Sequence, residues 1–122
     1  MAVPLNSLHY LEIVTPDVEA VRRQYASAFG WAFRYPVPEL GNAALATLPD
    51  GSFCGIRAPM HPEETPVVRP YLRVADLDAA TREAERLGAT FLLEAMELPG
   101  WGRIAIYELG GIQHGLWQVG QV

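Results

Sequence analysis

The side chains of this chain that are capable of chemistry are mainly arginines, carboxylates and tyrosines. All nine Lys+Arg positions are arginine, so lysine Schiff-base chemistry is excluded and an anion would be held by guanidinium groups. Cys54 is the single cysteine, which is interpreted as a small buried hydrophobe. No serine neighbours a histidine and no glycine-rich phosphate loop is present. The remaining possibilities are proton transfer by a carboxylate or tyrosine, or binding without reaction.

These residues lie on a sequence that repeats itself once. The segment 15–31 reappears as 74–90, and later in each copy Gly115 follows Gly55 by 60 positions. An offset that stays this stable across two helices and two late strands indicates a duplicated supersecondary unit.

Each copy predicts one helix and four strands in the order β-α-β-β-β. The helices are predicted to begin at Asp17 and Asp76, because the dipole of a helix favours a negative side chain at its N-terminus. Each helix is predicted to stop at a glycine. We expect the first module at residues 1–59, a Pro-rich linker at 60–66 and the second module at 67–122, together making one domain. The predicted fold class is α+β, with one helix covering one face of each mixed sheet.

The paired modules, the helix entry PDVEAVRRQYASAFGW and the closing GGIQHGLWQ resemble the vicinal oxygen chelate superfamily. That group contains glyoxalase I, bleomycin resistance proteins and extradiol dioxygenases. The resemblance implies a curved mixed sheet that forms a half-barrel cup, with the helices on its convex side and a ligand inside.

The resemblance also implies four metal-ligand positions, on the first and last strands of each module. They map to Tyr10, Gly55, Arg69 and Gly115, none of which is a usual ligand of a divalent ion. The sequence therefore predicts no metal site and no cofactor. His9 is one residue from a mapped position, and alternation turns it to the opposite face unless a bulge brings it round.

If those positions face the cup, strand alternation assigns the side chains that line it. Trp101, in a loop predicted over residues 97–102, is added to this set as part of a mobile lid, a contact for a partner or a packed residue. The predicted ligand-binding residues are Tyr10, Glu12, Phe53, Arg57, Arg69, Tyr71, Arg73, Trp101, Gln113 and Trp117. Glu12 and the three arginines can orient a carboxylate-bearing ligand. The alternative is an internal salt-bridge network that fills the cup.

Two functions follow from this set. The first is metal-independent binding of a small molecule, for sequestration or transport, as the resemblance to bleomycin resistance proteins implies. The second is a glyoxalase- or dioxygenase-like enzyme. It would be a metal-free lyase or isomerase with Glu12 as the candidate catalytic base, or a metal-dependent enzyme with a non-standard site that includes His9.

Charge and hydropathy limit the kinds of partner and the location that we expect for this chain. A net charge of −5 disfavours nucleic acid, which requires a basic face. No apolar run approaches the roughly 20 residues that span a bilayer, and the N-terminus does not look like a signal peptide. We therefore expect a cytoplasmic protein with a small-molecule ligand, and the resemblance implies a homodimer.

Overall fold

The computed structural model describes residues 3–120, which divide into two compact units. The first unit comprises residues 10–68 and the second comprises residues 3–9 and 69–120. The segment 3–9 is tied to the second unit by backbone hydrogen bonds, from Asn6 N to Arg73 O at 2.6 Å and from Arg73 N to Ser7 O at 2.9 Å.

The first module contains one helix and four strands. They are β1 (Leu8–Val14), α1 (Val18–Phe29), β2 (Phe33–Val37), β3 (Ala43–Thr47) and β4 (Phe53–Arg57), with a short 3-10 turn at Pro38–Leu40. The strands lie in the order β2-β3-β4-β1. The β1 and β4 strands are parallel, and the other neighbouring pairs are antiparallel.

The second module repeats this arrangement. It contains β5 (Val67–Arg73), α2 (Leu77–Arg86), β6 (Thr90–Leu98), β7 (Gly102–Leu109) and β8 (Ile112–Val119). The order is β5-β8-β7-β6, with β5 parallel to β8 and the other pairs antiparallel. The predicted β-α-β-β-β order is confirmed in both copies.

The helices begin where the sequence predicts. The Asp17 carboxylate accepts a hydrogen bond from Ala20 N at 3.2 Å, and the Asp76 carboxylate accepts one from Ala79 N at 3.1 Å. Each bond satisfies a backbone donor that the first helical turn leaves open. Within residues 3–120, no helix is long and apolar enough to cross a membrane.

One face of each sheet packs against its own helix. In the first module Ile13, Cys54 and Ile56 form the buried centre, with helix residues such as Val18 and Val21 packed on it. In the second module the corresponding centre contains three buried residues, Leu77, Ala105 and Leu116. Because side chains alternate along a strand, the neighbours of these residues point to the other face of each sheet.

The predicted loop 97–102 is wrong in its extent. The β6 strand runs to Leu98, and its pairing with β7 continues to Gly102. The connection is a tight turn in which Trp101 N donates to Leu98 O at 2.8 Å. Gly100 and Gly102 have φ values of 83° and 121°, which a side chain disfavours. These two glycines therefore allow a tight turn over residues 99–101.

Candidate functional site

The face of the first sheet away from α1 carries a buried ion-pair network centred on Arg57. Its Nε donates to Glu12 Oε2 at 2.8 Å. Its Nη1 and Nη2 donate to the two oxygens of Glu64 at 3.0 and 2.6 Å. Arg57 is only 5% exposed, so a single guanidinium is held between two carboxylates with little solvent. For these residues, the structure matches the alternative of an internal salt-bridge network.

Arg57 and Glu64 each stabilise the charged form of the other. Burial opposes the charge on Arg57, yet the hydrogen bond to Glu64 and the charge of Glu12 hold its pKa above the ordinary value. The hydrogen bond from Arg57 lowers the pKa of Glu64 to about 2. At neutral pH the guanidinium and the Glu64 carboxylate are therefore both ionised.

Sequence reasoning missed Glu64, since an acid in a proline-rich linker is expected to be solvated. A turn brings it back: Glu64 N donates to His61 O at 3.1 Å, and Met60 N donates to Glu64 Oε1 at 2.8 Å. One signal was available in the sequence. An arginine at the end of a buried strand requires counter-charge, and two of the three acids nearest to it along the chain are in the linker.

The corresponding face of the second sheet carries Arg69 and Gln113. Arg69 donates from Nε and Nη2 to Gln113 Oε1, at 2.9 and 2.6 Å. Arg69 is also buried, at 6% exposure. An amide oxygen is therefore one partner of this guanidinium.

Aromatic rings fill the rest of the second face. Tyr71 and Trp117 meet edge to face with centroids 5.5 Å apart, and His9 lies on Trp117 with centroids 5.2 Å apart. Arg73 Nη1 donates to the carbonyl of Val3 at 2.7 Å. The predicted residues Tyr71, Arg73 and Trp117 are therefore brought together, with the N-terminal segment against them.

Burial makes His9 a pH-sensitive contributor to stability. Burial first, and the charge of Arg73 second, lower its pKa from 6.5 to about 4. The unfolded chain then binds the extra proton at higher pH than the folded chain. The contribution is complete above pH 6.5 and is lost as the pH falls from 6.5 toward 4.

We expect urea unfolding to show a free energy of unfolding that falls over this pH range, and a smaller fall in His9→Phe. His61→Gln is the matched control, because the His61 side chain is 60% exposed. An unchanged pH profile in His9→Phe would contradict the assignment.

Two of the mapped metal-ligand positions are glycines that lie beneath tyrosine rings. A Cβ atom at Gly55 would lie 2.6 Å from Tyr10 Cζ and closer still to the hydroxyl oxygen. A Cβ atom at Gly115 would lie 2.6 Å from Tyr71 Cγ. The volume that a side chain would need at each glycine is therefore occupied by a tyrosine ring.

The residues at these positions do not fit a divalent metal ion. Tyr10 is buried, which raises its pKa and keeps the phenol protonated. Arg69 brings a positive charge, and the two glycines have no donor and no room for one. No group of three His, Cys, Asp or Glu side chains suited to a metal lies within residues 3–120. The four mapped positions therefore do not support a metal-dependent reaction.

Two other residues and one surface depression lie apart from the ion pairs and aromatic contacts described above. Cys54 is buried, which raises the pKa of its thiol to about 12, so the inert interpretation is favoured. The carbonyl of Trp101 accepts a hydrogen bond from Trp117 Nε1 at 2.9 Å. That bond fixes the backbone of the turn, and Trp101 is half-buried. A shallow, open depression lies on the exposed side of α1, around Arg23 and Ser27, and contains none of the predicted site residues.

Comparison with known sequences finds two mycobacterial relatives. Proteins of Mycobacterium bovis and Mycobacterium tuberculosis, each named "Putative glyoxylase CFP32", are 31% identical over 117 residues, covering 90% of this chain. The match covers 44% of each relative, so the chain spans less than half their length. No family model matches the sequence.

Comparison with solved structures finds the same fold in epimerases. A methylmalonyl-CoA epimerase from Mycobacterium tuberculosis has a TM-score of 0.75 at 19% identity, over 99% of this chain and 93% of that one. A Streptomyces coelicolor methylmalonyl-CoA epimerase in complex with 2-nitronate-propionyl-CoA has a TM-score of 0.76 at 17% identity, over 98% of both chains. These likenesses confirm the predicted fold class.

Proposed function

We propose that this chain is a member of the vicinal oxygen chelate superfamily and that it binds a small organic anion without a metal ion. In each module the candidate binding surface is the sheet face that lies away from its own helix. Neither sequestration nor transport is distinguished by the site, since both require the same contacts.

The observation that carries this proposal is the charge at the mapped positions and beside them. Arg57 and Arg69 are guanidinium groups, each less than a tenth exposed, on the faces where the superfamily holds a cation. A buried guanidinium repels a divalent cation and attracts a carboxylate or phosphate. Aromatic rings such as Tyr71 and Trp117 supply apolar surface for the body of a ligand.

Metal analysis tests this proposal. After dialysis against nickel, zinc, manganese and iron, followed by removal of free ions, we expect no ion to remain at one per chain. The physical reasons are the charge of Arg69, the two glycines at mapped positions, and the lack of grouped donors within residues 3–120. Retention of any one ion at that stoichiometry would contradict metal independence.

The names of the relatives favour an enzyme as the second candidate. A relative is named a glyoxylase and several structural neighbours are epimerases, enzymes for which removal of a carbon-bound proton is a reasonable first step. In this chain Glu12 is the candidate base, and Arg57 at 2.8 Å fixes one of its oxygens. Tyr10, whose pKa is raised by burial, would act as a hydrogen-bond donor rather than as a base.

Deuterium exchange separates the two candidates. If the chain is a metal-free epimerase or isomerase, methylmalonyl-CoA or a related thioester will incorporate deuterium from D₂O in its presence. Glu12→Gln would then lower the exchange rate by about 10²-fold or more and leave ligand affinity nearly unchanged. Equal exchange in Glu12→Gln would exclude Glu12 as the base, and no exchange in the native chain would favour binding alone.

We also propose that the chain forms a homodimer in the cytoplasm and binds no nucleic acid. The buried free thiol of Cys54 suits a reducing compartment, and the net charge of −5 opposes phosphate binding. Light scattering on the purified protein gives its mass, and a monomer at micromolar concentration would contradict the dimer.

A further inference from the structure

Arg57 holds a carboxylate of its own chain in the way a guanidinium binds a free carboxylate. Nη1 and Nη2 donate to the two separate oxygens of Glu64, at 3.0 and 2.6 Å. This contact through two nitrogens and two oxygens is the geometry that distinguishes arginine as a carboxylate receptor. The side chain of Glu64 beyond its Cα is chemically a propionate.

The rest of the guanidinium is fixed independently of Glu64. Its Nε donates to Glu12 Oε2 at 2.8 Å, and Glu12 and Arg57 lie on the neighbouring strands β1 and β4. A sheet ladder is among the last parts of a protein to open. Nη1 also donates to Ala58 O at 3.2 Å, so removal of Glu64 would leave the guanidinium oriented, with Nη2 vacated and a second N–H of Nη1 still able to bind a ligand.

Glu64 itself is on a segment with little to hold it. Seven of the nine residues 58–66 are exposed, and only Pro59 and Glu64 are half-buried. The hydrogen bonds of this turn are from Met60 N to Glu64 Oε1 at 2.8 Å and from Glu64 N to His61 O at 3.1 Å. Segments with few buried contacts open locally, so the main cost of releasing Glu64 is its ion pair with Arg57, which the carboxylate of a ligand would replace.

We propose that Nη1 and Nη2 of Arg57 form a carboxylate-binding subsite, and that Glu64 occupies it until the carboxylate of a ligand takes its place. This rests on the proposed binding function and adds the ligand class, a small carboxylate with an apolar body. Glu64 acts as a tethered competitor, which lowers the apparent affinity for any free carboxylate. Binding is coupled to opening of the linker, because the ligand and Glu64 cannot both occupy the two nitrogens.

The Met60 amide, which donates to Glu64 Oε1, can show whether a ligand displaces Glu64 in the native chain. We expect propionate, titrated at constant ionic strength and pH, to shift the Met60 N–H and Arg57 Nε–H NMR signals saturably. Hydrogen exchange at Met60 should accelerate, because its acceptor leaves with Glu64. Propionamide, which has the same shape without the charge, should do neither. Equal effects of the two compounds, or no effect of propionate, would overturn the proposal.

Removing the competitor should strengthen binding. Glu64→Ala is expected to bind propionate on the order of tenfold more tightly than the native chain. Glu63→Ala is the matched control, because the Glu63 side chain is 82% exposed and should leave the affinity unchanged. Arg57→Lys should weaken propionate binding in the Glu64→Ala background, since an ammonium group keeps the charge but offers no paired donors.

The outcomes separate this subsite from the proposed function. If Glu64→Ala binds propionate no more tightly than the native chain, the subsite is wrong. If another organic anion binds and leaves the Arg57 and Met60 signals unchanged, the subsite is wrong and the proposed function stands. Tight binding of propionate by Glu64→Ala supports the subsite even where metal retention contradicts the proposed function.

Discussion

Arg57→Ala is expected to lower the free energy of unfolding by about 3–5 kcal/mol, because it leaves two carboxylates without their shared partner. Glu12 and Glu64 are only 12% and 15% exposed in their side chains, so water replaces the guanidinium poorly. Urea unfolding at neutral pH measures the loss. A loss below about 1 kcal/mol, typical of a solvated pair, would show that the network is not buried in solution.

Two variants control for this effect. Arg22→Ala removes an arginine whose partner Glu19 is 61% exposed, and it should change the free energy of unfolding little. A triple variant, Arg57→Met with Glu12→Gln and Glu64→Gln, removes every charge of the network and should recover much of the stability. If the triple variant is as unstable as Arg57→Ala, lost packing rather than unpaired charge explains the effect.

The same network predicts how stability responds to acid. The folded-state pKa of Glu64 is depressed to about 2 by Arg57, below the roughly 4.3 expected for an unfolded glutamate. The stabilisation is therefore complete above the unfolded pKa and is lost as the pH falls through the folded one.

Gly55→Ala is expected to destabilise the protein by about 1–3 kcal/mol, because the new methyl group overlaps a buried ring. The added Cβ would lie 2.6 Å from Tyr10 Cζ and 3.2 Å from Tyr10 Cε1, and Tyr10 is only 3% exposed. The ring cannot move aside without displacing its neighbours. Thermal or urea unfolding of the variant measures the effect.

A double-mutant cycle with Tyr10→Leu tests the cause. Leucine has no atoms at the Cζ position, so the double variant should be more stable than the sum of the two single changes predicts. Additive effects would place the cost of Gly55→Ala elsewhere, in the backbone or in β3. The cycle needs no ligand, so it is independent of the proposed function.

Regular spacing made most of the fold predictable from the sequence. The duplication aligned Asp17 with Asp76, and both cap helices as expected. Strand alternation placed Glu12 and Arg57 on one face, and they form an ion pair. Features that depend on local periodicity and on capping chemistry are readable because each residue acts on near neighbours in the chain.

The parts that were not predictable depend on how side chains turn and how irregular segments fold back. Nothing periodic links Glu64 to Arg57, and a linker has no register from which to infer a contact. The position of the Tyr10 ring over Gly55 depends on a rotamer, which the sequence does not specify. The extension of β6 to Leu98 depended on glycines that fit a tight turn as well as a loop.

The tyrosine rings over Gly55 and Gly115 also restrict how this protein can change by mutation. Introducing a metal-binding carboxylate at either position first places a side chain against a buried ring, and shrinking the ring first opens a cavity. Each single step lowers stability before any metal can be bound, and a marginally stable domain tolerates few such losses. Evolution from this chain toward a metal enzyme would therefore need paired substitutions, and an engineer should change residues 10 and 55, or 71 and 115, together.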